Sequence, residues 1–289
     1  MQQEPLFVLG VGAQKAGTTW LYHYLSRLAG ADFGFTKEYH FHDCRTVPSM
    51  RWHKDILARR ACAELTGAVP QTPAIRQLAF LQDPQLYYAY FASLYMAGAK
   101  MSGDITPAYS LLSVEVMADC EARFLRMGVA FKVVYIMRNP LERLVSSLRQ
   151  YLRSRGLPPQ TLEEEAALLQ RGLQALPEEV RLLSAYDLTL GTLQSVFPPE
   201  RLHLELFERL FTVEATTRLC QALGVPWQQP DLLRRWNSTG SSVGHLPFNT
   251  MRELAESQRQ QVDACISVFG LEQISASWPQ VCNLLGYFG

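Results

Sequence analysis

Residues 10–21 read GVGAQKAGTTWL, a glycine-rich stretch in which Lys15 stands two residues before Gly17 and a hydroxyl pair, Thr18 and Thr19, follows it. Glycine lets a backbone approach an anion closely, and the amides that open a following helix point at it. The hydroxyls add donors and Lys15 adds a mobile positive charge. In the phosphate loop of nucleoside-triphosphate enzymes the lysine instead follows the last glycine, with Ser or Thr straight after it. On its own the stretch reads as well as a plain strand-to-helix turn carrying a surface lysine.

A second group of residues is RNPLERLVSS at 138–147. Arg138 ends an apolar run, and Ser146 lies in the helical segment that follows. A guanidinium offers a fork for a phosphate, and a serine offers a hydroxyl donor. Taken with the first loop, they point to a ligand with anionic groups at two separated places, such as a nucleotide phosphorylated at both ends of its ribose. A third group, KEYHFHD at 37–43, sets Lys37, Glu38, His40, His42 and Asp43 between aromatic residues. A carboxylate beside apolar rings can have a raised pKa and act as a general base. His40 and His42, if on a strand, would point the same way and offer two metal ligands, but no third is evident. The alternative is a charged loop with one core histidine.

The elements that must hold these groups follow from hydrophobic pattern. PLFVLGVGA (5–13) is an apolar run ending in glycines, the pattern of a strand buried on both faces, and TTWLYHYLSRL (18–28) has helical spacing. FKVVYIMRNP (131–140) runs as a strand into a helix whose first turn accommodates Pro140. LHLELFERL (202–210) reads as a further strand, with helices over 74–97, 111–126, 161–174, 178–196 and 249–269. Strands alternating with helices predict an α/β fold with a mainly parallel sheet.

Composition narrows the function classes. With 289 residues, 48% of them hydrophobic and 19% charged, the chain is of ordinary globular make-up, and no Pro/Gly/Ser linker divides it, so one domain is expected. Lys and Arg total 27 and so do Asp and Glu, which argues against a nucleic-acid partner held by a basic surface. The cysteines, at 44, 62, 120, 220, 265 and 282, show neither zinc nor disulfide spacing and are expected as free thiols. The amino-terminal apolar run is too short to span a bilayer, so a cytoplasmic protein without a membrane span is expected.

The segments GVGAQKAGTTWL, KEYHFHD, GDITPAYS (103–110) and RNPLERLVSS, in this order, resemble the sulfotransferase family. The likeness is to the branch that holds the heparan sulfate amine and 3-hydroxyl sulfotransferases and their bacterial relatives, and YDLTLGTLQSVFPPERLHLELFERL (186–210) adds a weaker match. The resemblance implies the family's P-loop-like α/β fold and a donor, 3′-phosphoadenosine 5′-phosphosulfate (PAPS), that leaves as 3′-phosphoadenosine 5′-phosphate (PAP), with no metal required. By the same resemblance, Lys15, Ala16, Gly17, Thr18, Thr19 and Trp20 hold the phosphosulfate end, with Lys15 at the bridging oxygen. Arg138 and Ser146 would hold the 3′-phosphate, and Glu38 would take the acceptor's proton, with His40 the reserve for that role. Lys37, His42 and Tyr109 would face the acceptor, a small molecule or a glycan.

The sequence departs from the family's pattern at two places. His42 replaces a usual phenylalanine, and Ile105 stands where the glycan 3-hydroxyl enzymes carry a substrate-binding lysine, which counts against an acidic polysaccharide acceptor. RWNSTGSSVGHLP (235–247) is the counterpart of the family's last nucleotide-binding loop, without its basic residues in line. Two other functions fit parts of the pattern. A P-loop small-molecule kinase would need the glycine–lysine–Ser/Thr order and a magnesium carboxylate, and a non-catalytic nucleotide-binding module would not need Glu38 and Lys15 together.

Overall fold

Every residue of LFVLGVG is buried in strand β1 (Leu6–Gly12), as an apolar run covered on both faces requires. The computed structural model describes residues 4–69, 73–156, 161–232 and 246–287. After β1 come α1 (Thr18–Leu25), α2 (Phe41–Thr46), α3 (Trp52–Leu65), α4 (Ala74–Gln82) and α5 (Pro84–Met96). Strand β2 (Met101–Ile105), α6 (Val114–Arg126), β3 (Ala130–Met137) and α7 (Pro140–Ser154) follow. Then come α8 (Leu162–Gln174), α9 (Glu178–Leu182), α10 (Tyr186–Val196), β4 (Leu202–Leu206), α11 (Phe207–Leu210) and α12 (Val213–Leu223). The carboxy-terminal helices are α13 (Phe248–Ser257), α14 (Arg259–Phe269), α15 (Leu271–Ser277) and α16 (Pro279–Leu284).

The four strands form one parallel sheet in the order β2-β1-β3-β4. The chain leaves β1 toward β2 on one side and leaves β3 toward β4 on the other. The connections therefore part above the carboxyl ends of β1 and β3, where open α/β sheets place their ligands. A large apolar core, including Phe7, Phe91, Phe124 and Phe131, fills the space between sheet and helices, and a small separate cluster of Leu57, Ala61 and Ala74 joins α3 to α4.

The α/β fold with a parallel sheet is as expected, with differences in detail. Strand β2 was not legible, because its MSGDI carries Ser102 and Asp104 into the core, where tyrosine hydroxyls satisfy the aspartate. The expected helix 74–97 is two helices: Asp83 is extended, caps the second through Gln85 N at 3.0 Å, and Pro84 opens it. The helical stretches 178–196 and 249–269 are likewise divided, at 183–185 and at Gln258. Strand β4 stops at Leu206, where a short helix begins.

Candidate functional site

The loop after β1 enters α1 through Gly17, whose φ of 82° lies in the left-handed region open to glycine at little cost. A Cβ there would also meet the Phe207 ring at 3.0 Å. No side chain caps α1, so the first-turn amides of Thr18, Thr19 and Trp20 face outward as anion donors. Lys15 is half-buried, and its ammonium is held below the usual lysine range by burial and then by the charges of Arg153, Arg138 and Lys37. Arg138, just past β3, closes the crevice from the other side: its Nη1 donates to the Lys15 carbonyl at 3.3 Å. Its Nη2 donates to Glu142 at 2.7 Å, and its guanidinium lies 4.8 Å from the Phe207 ring centroid. The Nε of Arg138 and the buried Oγ of Ser146 have no hydrogen-bond partner among the described residues. Both are donors left over for a ligand. Trp20 lines a cavity of about 110 Å³ with Tyr24, Arg27, Gln228 and Asp231.

A run of polar contacts joins this loop to the 37–43 group. Lys37 Nζ donates to Thr18 Oγ1 at 3.1 Å and to Glu38 Oε1 at 2.5 Å. The other carboxylate oxygen of Glu38 lies 3.3 Å from His40 Nε2, and His40 Nδ1 meets the buried Asp43 at 2.7 Å. Burial alone would raise the Glu38 pKa, but the His40 contact and the Lys37 charge outweigh it and hold the carboxyl at about 2. The sequence-based expectation of a raised pKa is therefore corrected: the neighbours are cations as well as rings. Burial likewise opposes charge on His40, yet Asp43 and Glu38 together carry its pKa up to about 10. His40 is thus an imidazolium with both nitrogens engaged at neutral pH.

The backbone of this segment is fixed from below. Asp104, buried on β2, accepts from Tyr87 and Tyr109 hydroxyls at 3.0 and 2.6 Å and from Tyr39 N at 3.4 Å. The Tyr109 hydroxyl in turn accepts from Phe41 N at 3.1 Å. Gln77 on α4 donates to the carbonyls of Glu38 and Tyr39 at 2.9 and 3.0 Å. Sequence reading missed Gln77 and Asp104 as supports: both are distant in the chain from 37–43, Gln77 belongs to no local pattern, and Asp104 lies within GDITPAYS without a role assigned to it. It also missed the Arg138–Glu142 pair, which spans the junction between β3 and α7.

His40 and His42 do not share a strand. His40, at φ 50°, is the residue before α2, whereas His42 is buried within α2 among the rings of Tyr87, Tyr88 and Tyr109. Burial drives the His42 pKa down to about 3, so it stays neutral. No group of three metal-binding side chains occurs among the described residues. Tyr109, placed at the acceptor by resemblance, is fully buried under the 37–43 segment. Ile105 is buried as well, packed where a Cβ on Gly10 would come within 2.6 Å of it. Of the 235–247 loop, 235–245 lies outside the described residues. No helix among the described residues is long and apolar enough to cross a membrane.

One solved structure shares this arrangement of strands and helices. A sulfotransferase from Alicyclobacillus acidocaldarius superposes with a TM-score of 0.57 over 91% of this chain and 95% of its own, at 19% identity. The sulfotransferase domain of the curacin biosynthetic pathway (TM-score 0.42, 17% identity, 82% of this chain, 80% of its own) is a weaker likeness. So is that of the Synechococcus olefin synthase (0.44, 14%, 89% and 96%). No protein of curated function is significantly similar in sequence. The model of the sulfotransferase family matches residues 5–229, a span that holds the β1 loop, the 37–43 segment and the Arg138–Ser146 helix. The chain is an enzyme that belongs to the sulfotransferase family.

Proposed function

We propose that the enzyme moves the sulfuryl group of PAPS to a hydroxyl or amine of a small or medium-sized acceptor, with Glu38 as general base and Lys15 at the leaving oxygen. The observation that carries this reading is the unbroken run of contacts from Thr18 through Lys37 to Glu38 and His40. It ties a phosphate-binding loop to a carboxylate, as transfer between an anionic donor and a neutral nucleophile needs. The orphaned Ser146 hydroxyl and Arg138 Nε fit a second anionic point, and the ribose 3′-phosphate supplies one.

When bound, the donor supplies an activated sulfuryl group whose leaving group is a phosphate oxygen. The first-turn amides of α1 and the hydroxyls of Thr18 and Thr19 bind that end. Lys15 stabilises the negative charge that builds on the bridging oxygen as the sulfur–oxygen bond breaks, so its effect is larger in the transition state than in the ground state. The acceptor's oxygen or nitrogen forms the new bond to sulfur, and its proton goes to Glu38. With a pKa of about 2, Glu38 is a weak base in the free enzyme. Proton transfer becomes favourable only as the new bond acidifies the acceptor, so the two events are concerted. His40 orients Glu38 and balances its charge; already protonated, it is not the base. The burial of Ile105 leaves no cation at that position, which favours an acceptor without dense negative charge.

Incubation with PAPS and pooled phenols, alcohols, sugars and amines, followed by mass spectrometry, tests the reading. It predicts an acceptor heavier by one sulfuryl group together with an equal amount of PAP. Glu38→Gln should lower that turnover roughly 100- to 10,000-fold while leaving PAP affinity within a few-fold. A Glu38→Gln enzyme with full turnover would remove Glu38 from the role.

A further inference from the structure

Arg143 lies in α7 and is fully buried. Its Nη1 donates to Ser147 Oγ at 3.2 Å and its Nη2 donates to Ser184 Oγ, while Nε has no partner. Among the described residues no carboxylate meets it. Buried charges are otherwise paired, because removing an ion from water costs several kcal/mol that hydroxyl dipoles only partly return. The guanidinium cannot shed its proton to escape that cost. A cation kept buried without a counter-charge among the described residues points to a counter-charge brought by a ligand.

The direction of the hydrogen bonds shows where that charge is felt. Arg143 donates to Ser147, and the Ser147 hydroxyl donates to Gln14 Oε1 at 3.4 Å. Each link is polarised the same way, so the Gln14 amide presents its N–H groups as strengthened donors beside Lys15. Ser147 also adjoins Ser146, and burial first, with the charge of Arg138 adding to it, works against the charge of Arg143. The buried guanidinium thus sits behind both anion-binding elements, the β1 loop and α7.

We infer that Arg143 is a positioning residue for the donor nucleotide. Its charge, relayed through Ser147 to Gln14, draws the nucleotide's phosphates into the crevice, and their charge completes the pairing that the protein leaves open. The inference rests on the nucleotide reading above. It also assigns a cost: without nucleotide, Arg143 destabilises the fold it belongs to.

Arg143→Met, Arg143→Lys and Ser147→Ala test this by PAP titration calorimetry and thermal melting. Arg143→Met keeps an unbranched apolar chain out to about the Nε position and removes the charge. It should melt at or above the wild-type temperature without ligand, yet bind PAP roughly tenfold or more weakly. Arg143→Lys, which keeps the charge, should bind PAP within roughly threefold of wild type. A packing role would give the reverse, with melting lowered by both substitutions and PAP affinity untouched. Wild-type-like PAP affinity in Arg143→Met overturns the inference alone. Wild-type enzyme that binds PAP no better than adenosine overturns the nucleotide reading and this inference with it. Should Arg143→Met not fold, Ser147→Ala decides: a roughly three- to tenfold loss of PAP affinity supports the relay, and no loss overturns it.

Discussion

Ser146→Ala should make the protein more stable and the enzyme worse. Ser146 is 4% exposed on α7, and its hydroxyl has no hydrogen-bond partner among the described residues. A buried hydroxyl left unsatisfied costs about 1–3 kcal/mol, and alanine is also the better helix former by about 0.5 kcal/mol. Against this stands the loss of a few dispersion contacts of one oxygen, so a net gain of about 1 kcal/mol is expected. In a chain of this size that raises Tm by about 2–4 °C. Binding moves the other way. A hydroxyl donated to a phosphate contributes about 1.5–3 kcal/mol, so PAP affinity should fall roughly 10- to 150-fold. Differential scanning calorimetry without ligand and titration calorimetry with PAP read the two effects on one preparation. A variant that melts lower and binds PAP as tightly as wild type would show that Ser146 is a packing residue and refute the assignment.

The pH dependence follows from the pKa shifts. His40, raised from 6.5 to about 10, contributes stability that is whole below pH 6.5 and is lost as pH rises toward 10. The Tm gap between wild type and His40→Asn should therefore be wider at pH 6 than at pH 9.5; an equal gap would mean that His40 is neutral in the fold. His42, lowered from 6.5 to about 3, works in the opposite sense: its neutral form is favoured in the fold, and stability is lost as pH falls from 6.5 toward 3. His42→Phe should gain on wild type in melts at pH 4.5 relative to pH 7.5, and a constant difference would contradict this. Tyr109→Phe strips the hydroxyl that links Asp104 to Phe41 N, so we expect a cost of about 1–3 kcal/mol and lower kcat with KM for PAPS little changed. A lower kcat matched by an equal rise in that KM would place Tyr109 in donor binding instead.

How far the sequence discloses this enzyme depends on whether the relevant forces are local. The β1 loop and the β3–α7 junction are legible because apolar runs, glycine, proline and the following helix lie side by side in the chain. Strand β2 is not, since the aspartate that disguises it is made tolerable by Tyr87 and Tyr109, contacts that only the fold creates. Lys37, Glu38 and His40 could be named together from their spacing. Their charges could not be assigned, because Asp43 reaches His40 only once α2 forms, and the His40 and Lys37 contacts that hold the Glu38 carboxyl down depend on the folded backbone. Gln77 left no trace in the sequence, since nothing near it in the chain reveals that α4 reaches the Glu38 carbonyl.

The central claim is that the crevice between β1 and β3 recognises a nucleotide phosphorylated at both ends of its ribose. Titration calorimetry of the wild-type enzyme with PAP and with adenosine 5′-phosphate isolates the 3′-phosphate, the one group by which the two differ. Contacts from Arg138 and Ser146 to that phosphate should contribute about 3 kcal/mol or more, so PAP should bind roughly 100-fold tighter or better. Equal affinity for the two nucleotides would contradict the account.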